Sequence, residues 1–560
     1  MAHDLVIRNA QLHDGLGSAS LSADLAVDGG RIAALGAGVG RGREEIDAGG
    51  LALAPGIVDT HTHYDAQVTW DPFVSPSPQL GVTTAVIGNC GFTIAPCRPD
   101  GRERVMRNLT QVEGMSLDVL RRGIRWAFES FPQYLDQLER DGVGINVAAF
   151  VGHSSVRSFV MGEDAAQRTA SAAEIDTMRA IVLEAMRAGA VGFSTTTSPA
   201  HNGEGGIPMP SRLASDDELR ALVSCLGEVR RGVFMLTKGG HTPLPFLEEL
   251  AAVNARPVIV AALLHNSTNP DSVFRELDAI AAANARGHRL IGAMSCCPLT
   301  FEFTLRSPYP FEGLDAWRPA LGLSGEAYKA RLGDARFRQA LRDELARPAV
   351  FRLFNAEWDK LHVAEVRSEA QRAWEGKSIG EIARASRRDP LDCMLDLGLA
   401  EDLDTVFTST LLNSDEQAVA RMLAHPHSMV SLSDAGAHLT FFNDAGFGLH
   451  LLGHWVREAG ALPLAEALRQ LTSYPAKVFG LRGRGSLALG NHADLLLFDP
   501  ATVGRGPSRR VFDLPGGAPR LTTPALGVHG VWVNGVRVVD EKGLLETRDR
   551  PGNVLRDFAA

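Results

Sequence analysis

Eight short apolar, β-branched runs, spaced through residues 54–480 with helical stretches between several of them, restrict this chain more than any other feature. They cover 57–63, 83–90, 145–153, 190–197, 232–238, 257–265, 290–297 and 428–434. Helical stretches such as 172–188, 216–230 and 272–285 fall between them. Parallel strands need long crossover connections, and helices supply them. The alternation therefore predicts an α/β fold, a (β/α)8 TIM-like barrel. In such barrels chemistry gathers at the C-terminal ends of the strands. His63, Cys90, His153, Lys238, His265 and Asp434 all fall at or just past predicted strand ends.

The two ends of the chain read differently. Residues 4–36 form strand patterns joined by an Asp28-Gly29-Gly30 turn. Residues 493–499 read as another strand, and 528–539 as a hairpin across Asn534-Gly535. Asx-Gly pairs between apolar runs are strong hairpin signals. Segments 1–53 and 481–560 are thus expected to build one small β-sandwich domain, with the barrel occupying 54–480. The long interval 298–427, between the seventh and eighth strands, is expected to be a lid or substrate-shaping insertion.

Composition narrows the function classes. A hydrophobic content of 45% with 22% charged residues is that of a globular protein with an ample core. The net charge of -10, without a concentrated Lys/Arg face, gives no footprint for nucleic acid. No apolar run is long enough to span a membrane, and the first residues lack the basic-then-apolar pattern of a signal peptide. Six cysteines without a repeating spacing do not make a disulfide framework, so a reducing cytoplasm is expected. The expected partner is a small molecule. A homo-oligomer is left open.

Within the first strand, His61 and His63 are separated by one residue. Residues i and i+2 of an extended strand point to the same face, so both imidazoles can reach one ion. The same spacing also suits two surface histidines at a strand end.

The segment from Pro55 to His63 resembles the first strand of the amidohydrolase superfamily. Gly88-Asn89-Cys90-Gly91-Phe92-Thr93 resembles a segment of the N-acyl-D-amino-acid deacylases (D-aminoacylases), and Ser433-Asp434-Ala435-Gly436-Ala437-His438 their last-strand motif. Ala493-Asp494-Leu495-Leu496-Leu497-Phe498 is similar to a strand of the superfamily's small β-domain. The resemblance implies hydrolysis of a linear amide with one or two zinc ions. Zinc lowers the pKa of a bound water to about 7 and polarises the carbonyl. It implies Asp434 as general base and acid. It also implies metal ligands among His61, His63, Cys90, Lys238, His265 and Asp434.

Other readings stand beside these. Asp434 also suits a helix N-cap, and Cys90 a small buried hydrophobe. Lys238 stands where the deacylases carry a metal-binding histidine. A carboxylated lysine would bind metal, an ammonium would bind a substrate carboxylate or carbonyl, and a structural charge would leave His241 to ligate. His153 and Arg212 are candidates for substrate binding. A cyclic amide hydrolase of the hydantoinase or dihydropyrimidinase kind, or a non-catalytic barrel serving as a binding protein, are the rival functions.

Overall fold

The computed structural model describes residues 2–349, 352–545 and 549–559. They divide into two compact units. The first comprises Met1–Leu263, Glu276–Cys296 and Met422–Ala560, and the second Leu264–Arg275 and Cys297–Arg421.

The first unit holds a parallel eight-stranded sheet whose strands neighbour one another in chain order. They are β1 (Ile57–Asp59), β2 (Val82–Ile87), β3 (Asn146–Gly152), β4 (Gly192–Thr196), β5 (Val233–Thr237), β6 (Val258–Leu263), β7 (Leu290–Met294) and β8 (Ser428–Val430). Register runs through pairs such as Ile87↔Ala149, Phe150↔Gly192, Leu236↔Val260 and Gly292↔Ser428. Just past the last strand, Ala435 forms a parallel bridge with Thr62, and the His63 amide donates to the Ala435 carbonyl at 2.8 Å. The curled sheet is of the TIM-barrel kind.

These strands lack the in-out polarity of a half-exposed sheet. Every residue of β2, β3 and β4 is buried. Only a sheet covered on both faces favours such continuous burial, and the crossover helices provide the outer cover. The helix Ala172–Ala188 starts on a reciprocal Ser171–Glu174 capping box and stops at Gly189, whose φ of +115° ends it. Asp216–Val229 starts on the Ser215 hydroxyl.

The chain ends meet in a second, nine-stranded sheet of the first unit. Strand Ala52–Pro55 runs antiparallel to Leu495–Phe498, through pairs such as Leu53↔Leu497. Leu5, Ile7, Leu25, Val27, Leu53, Leu495 and Trp532 form its core. The two turns read from sequence are present. Gly29 and Gly30 both have positive φ, as do Asn534 and Gly535, the geometry of a primed hairpin turn. A Cβ on Gly535 would stand 2.9 Å from the Gly30 Cα, so the two turns pack against each other. What forms is one continuous sheet.

Asp494 ties this sheet to the start of β3. Its carboxylate pairs with Arg484 and accepts from the Asn146 amide at 3.2 Å and the Asn534 backbone N–H at 2.9 Å.

The second unit has its own three-stranded antiparallel sheet, ordered Leu299–Phe303, Val406–Leu412, Leu361–Glu365. Its helices include Gly325–Gly333, Ala335–Leu345, Ile379–Ser386 and Pro390–Ala400. Phe303, Phe311, Trp317, Phe354 and Phe407 are buried in it and form ring contacts with one another.

Candidate metal centre

The end of β1 brings His61 and His63 inward. Both are buried, with ring centroids 5.4 Å apart. After β2 the chain turns sharply through Gly88, Asn89, Cys90 and Gly91. Asn89 pins the turn by donating to the Thr62 and Val86 carbonyls at 3.2 and 3.0 Å. Cys90 is held at φ +56°, and Asp434, past β8, at φ +47°. Non-glycine residues in the left-handed region are uncommon and collect at functional sites. The turn delivers the Cys90 thiol to 3.6 Å from His61 Nε2. Asp434 Oδ1 stands 3.2 Å from His61 Nε2 and 3.5 Å from His63 Nε2.

Four ligands held tetrahedrally at zinc distances of about 2.0–2.3 Å stand roughly 3.3–3.6 Å from one another. His61, Cys90 and Asp434 stand near these values, at 3.6 Å for thiol to imidazole and 3.2 and 3.5 Å for Asp434 to the two imidazoles. His61, His63 and Cys90 form a group whose ligand atoms all lie within 4.8 Å of one another, and Asp434 closes on its two imidazoles. Thiolate, imidazole and carboxylate are a normal zinc donor set.

Electrostatics give the same answer. Burial opposes charge on His61, yet the adjacent Cys90 thiolate and Asp434 carboxylate push its pKa up to about 9. His63 is likewise raised, against its burial, by Glu113 and Asp434. Burial raises Cys90 and Asp434, but the imidazoles outweigh it and hold both low, Asp434 well below the usual carboxylate range. The cluster thus stabilises two anions, balanced by two protons on imidazoles. One divalent cation replaces both protons without changing the net charge.

Further polar side chains surround this group. Glu113 closes the helix Arg102–Glu113 and is buried, its Oε1 2.9 Å from His63 Nδ1. The ring N–H is not aimed along this line, so the contact is an ion pair rather than a directed hydrogen bond. A carboxylate at Nδ1 leaves Nε2 as the metal-facing nitrogen. Asp59 and Asp65 are buried, and burial pushes each carboxyl up to about 7. Asp65 accepts from the Gly88 amide at 2.8 Å and so supports the cysteine turn. His201 is desolvated to about 4, bonds Thr196 Oγ1 through Nδ1 at 2.7 Å, and packs edge-on against Phe92. His438 is half-buried, with its pKa lowered by desolvation.

The remaining residues singled out in the sequence take different places. Lys238 Nζ lies 3.0 Å from Glu276 Oε1, while its neighbour Thr237 contributes the hydroxyl 3.1 Å from Cys90 Sγ. His265 belongs to the second unit, where its backbone N–H donates to Asn413 Oδ1 at 2.8 Å and its ring faces Phe274. His153 is fully buried with both nitrogens engaged, to Glu218 and Thr195 at 2.8 Å each. Arg157 also pairs with Glu218. Arg212 binds the His201 carbonyl at 3.1 Å and the Asn202 side chain, bracing the loop that carries His201.

Glu113 and His201 were not singled out in the sequence. His201 follows the β4 end within a few residues, so the strand-end rule reaches it. Glu113 carries no local signal.

The sequence profile described as the amidohydrolase family matches residues 44–539. The chain is 30% identical to a D-aminoacylase of Alcaligenes xylosoxydans xylosoxydans over all of its length and 98% of that protein. It is 31% identical to an N-acyl-D-aspartate deacylase of the same organism, covering 99% of this chain and 95% of the relative. Its fold matches the crystal structure of an N-acyl-D-glutamate deacylase from Bordetella bronchiseptica, complexed with zinc and a phosphonate mimic of the tetrahedral intermediate. That match has a TM-score of 0.68, 26% identity and full coverage of both chains.

Proposed function

This chain belongs to the amidohydrolase family, is a metal-dependent hydrolase of amide C–N bonds, and, we propose, removes the acyl group from N-acyl-D-amino acids. The observation that carries the reading is the group formed by His61, His63 and Cys90, with Asp434 against both imidazoles. Support for the substrate comes from the relatives, which are named for acting on D-amino-acid derivatives.

We assign His61, His63 and Cys90 as zinc ligands, with Asp434 beside them. Zinc bound there supplies a Lewis acid and lowers the pKa of water. Asp434, whose pKa the metal-free site already holds low, takes a proton from the attacking water and passes it to the leaving amine nitrogen. Glu113 and Asp65 orient His63 and the cysteine turn. Lys238 is read as an ammonium. A carbamate on its Nζ would set a second anion against the Glu276 carboxylate, now 3.0 Å away. His153 is read as a structural residue below the site and Arg212 as a brace for His201, rather than as substrate contacts.

The finer architecture follows the same reading. The curled sheet is the wall of a closed barrel spanning 54–480, segments 1–53 and 481–560 make the composite β-domain, and 298–427 is an insertion between the seventh and eighth strands. Six free, buried cysteines suit a reducing cytoplasm.

A substrate screen tests the proposal. Zinc-loaded protein should release the amino acid from N-acetyl-D-amino acids, and Asp434→Asn should retain zinc but lose turnover by about 10²–10⁴-fold. Activity confined to L-amino acids or cyclic imides would overturn the substrate assignment. An active, zinc-loaded Asp434→Asn would overturn the proton-transfer role.

A further inference from the structure

We propose that the opposite end of the parallel sheet carries a separate binding site for a small organic dianion, a phosphate monoester or a dicarboxylate. A cavity of about 680 Å³ lies there, within the size range of small-molecule pockets. Arg289, immediately before β7, and His427, immediately before β8, line it, with Tyr474 and Lys477 from the helix Ser473–Phe479. The metal centre follows the other ends of these strands, so the cavity is no part of it.

The lining is one-signed. It holds Arg289, Arg469, Lys477 and Arg484 and no carboxylate side chain. Two of these charges are already balanced. Arg469 pairs with Glu466 at 2.7 Å, and Arg484 is buried against Asp494. Arg289 and Lys477 are exposed and have no acidic partner among the described residues. Two uncompensated cations facing one cavity call for a ligand carrying about two negative charges.

The neutral groups add direction. The Asn284 side chain is oriented by Leu290, accepting from its N–H and donating to its carbonyl at 2.8 Å each. Its amide therefore donates to His427 Nδ1 at 2.9 Å, which leaves the proton of the neutral ring on Nε2 as a further donor. The Arg469 guanidinium lies over the Tyr474 ring, 5.1 Å from its centroid. Leu16, Ile291, Val478 and Leu481 complete the wall with apolar surface. Cations and a ring N–H suit an anionic head, and the aromatic and aliphatic wall suits an apolar body.

The test is calorimetric titration of the zinc-loaded, full-length protein with phenyl phosphate and, separately, isophthalate. Phosphate and carboxylate oxygens can also meet zinc, so the reading rests on the binding that substitution of the cavity cations removes. The protein should bind at least one of them saturably, one per chain, and Arg289→Gln/Lys477→Gln should weaken that binding at least tenfold with zinc content unchanged. The probe that binds more tightly tells phosphate from carboxylate. Absence of saturable binding of either probe, or binding that survives the double substitution with less than tenfold loss, would overturn the site. Both side chains are exposed, so the variant tests the cavity rather than the fold.

Discussion

Glu113 shows how much of a metal site can rest on a residue with no motif around it. Its carboxylate stands against the far nitrogen of His63, so its effect on chemistry runs through the basicity of that ring. Glu113→Gln keeps the shape and removes the charge. Zinc affinity, measured by competition with a chromogenic chelator, should fall about 10–100-fold, while KM at saturating zinc stays within about twofold. Unchanged zinc affinity would make Glu113 a packing residue. The proposed ligands are legible for the opposite reason. His61, His63 and Asp434 lie next to strand ends in the sequence itself, whereas Glu113 reaches the site only because the loop after Cys90 folds back with the helix Arg102–Glu113. A different residue-scale effect sits at His450, half-buried near Arg505 and His454. Desolvation, with those neighbours adding to it, lowers its pKa to about 3. A histidine with a depressed folded pKa stays neutral in the fold but takes a proton when unfolded. Its contribution is therefore intact above about pH 6.5 and is lost as pH falls from there toward 3. At pH 5 the loss is about 2 kcal/mol. His450→Asn should flatten the drop in urea midpoint between pH 8 and pH 5 relative to wild type. A parallel drop in the two proteins would sink the assignment.

At the scale of elements, the parallel strands were readable because full burial leaves continuous apolar runs such as residues 147–151. The hairpin turns were readable because only Asx-Gly and Gly-Gly pairs accept two successive positive φ values cheaply. The three-stranded sheet of the second unit was not. Leu299–Phe303 and Leu361–Glu365 are only five residues each, and alternate buried with partly exposed positions among helices and prolines. So brief an alternation does not stand apart from loop sequence. The strand beginning at Leu495 carries a hidden cost in Asp494, whose role in joining two sheets depends on partners far away in the chain. Asp494→Ala would leave the Arg484 guanidinium buried, with its side chain 3% exposed, and without its counter-ion. Loss of one partner of a buried pair costs about 3–5 kcal/mol. The denaturation midpoint of the first unit should fall accordingly, and Asp494→Asn, which keeps an acceptor for the Asn146 and Asn534 groups, should recover part of the loss. A change below about 1 kcal/mol would show that the junction does not depend on this charge.

For the whole molecule, two compact units with separate cores imply that unfolding is not one two-state event, and metal binding makes the division measurable. His61, His63, Cys90 and Asp434 all belong to the first unit, although they come from segments as distant in sequence as β1 and the end of β8. An ion held by these residues binds only when the strands are assembled, so its binding free energy is added to the folding of that unit. At free zinc a thousandfold above Kd the gain is about 4 kcal/mol. Calorimetry of apo and zinc-loaded protein should therefore show one transition moving up by several degrees and the other staying in place. Cys90→Ser should abolish most of the shift, because a hydroxyl does not ionise on zinc as a thiol does. The moving transition should also be the one lowered by Asp494→Ala, which marks it as the first unit without reference to metal. If zinc raised only the transition that Asp494→Ala leaves alone, the ligand set drawn from β1, β2 and β8 would be wrong.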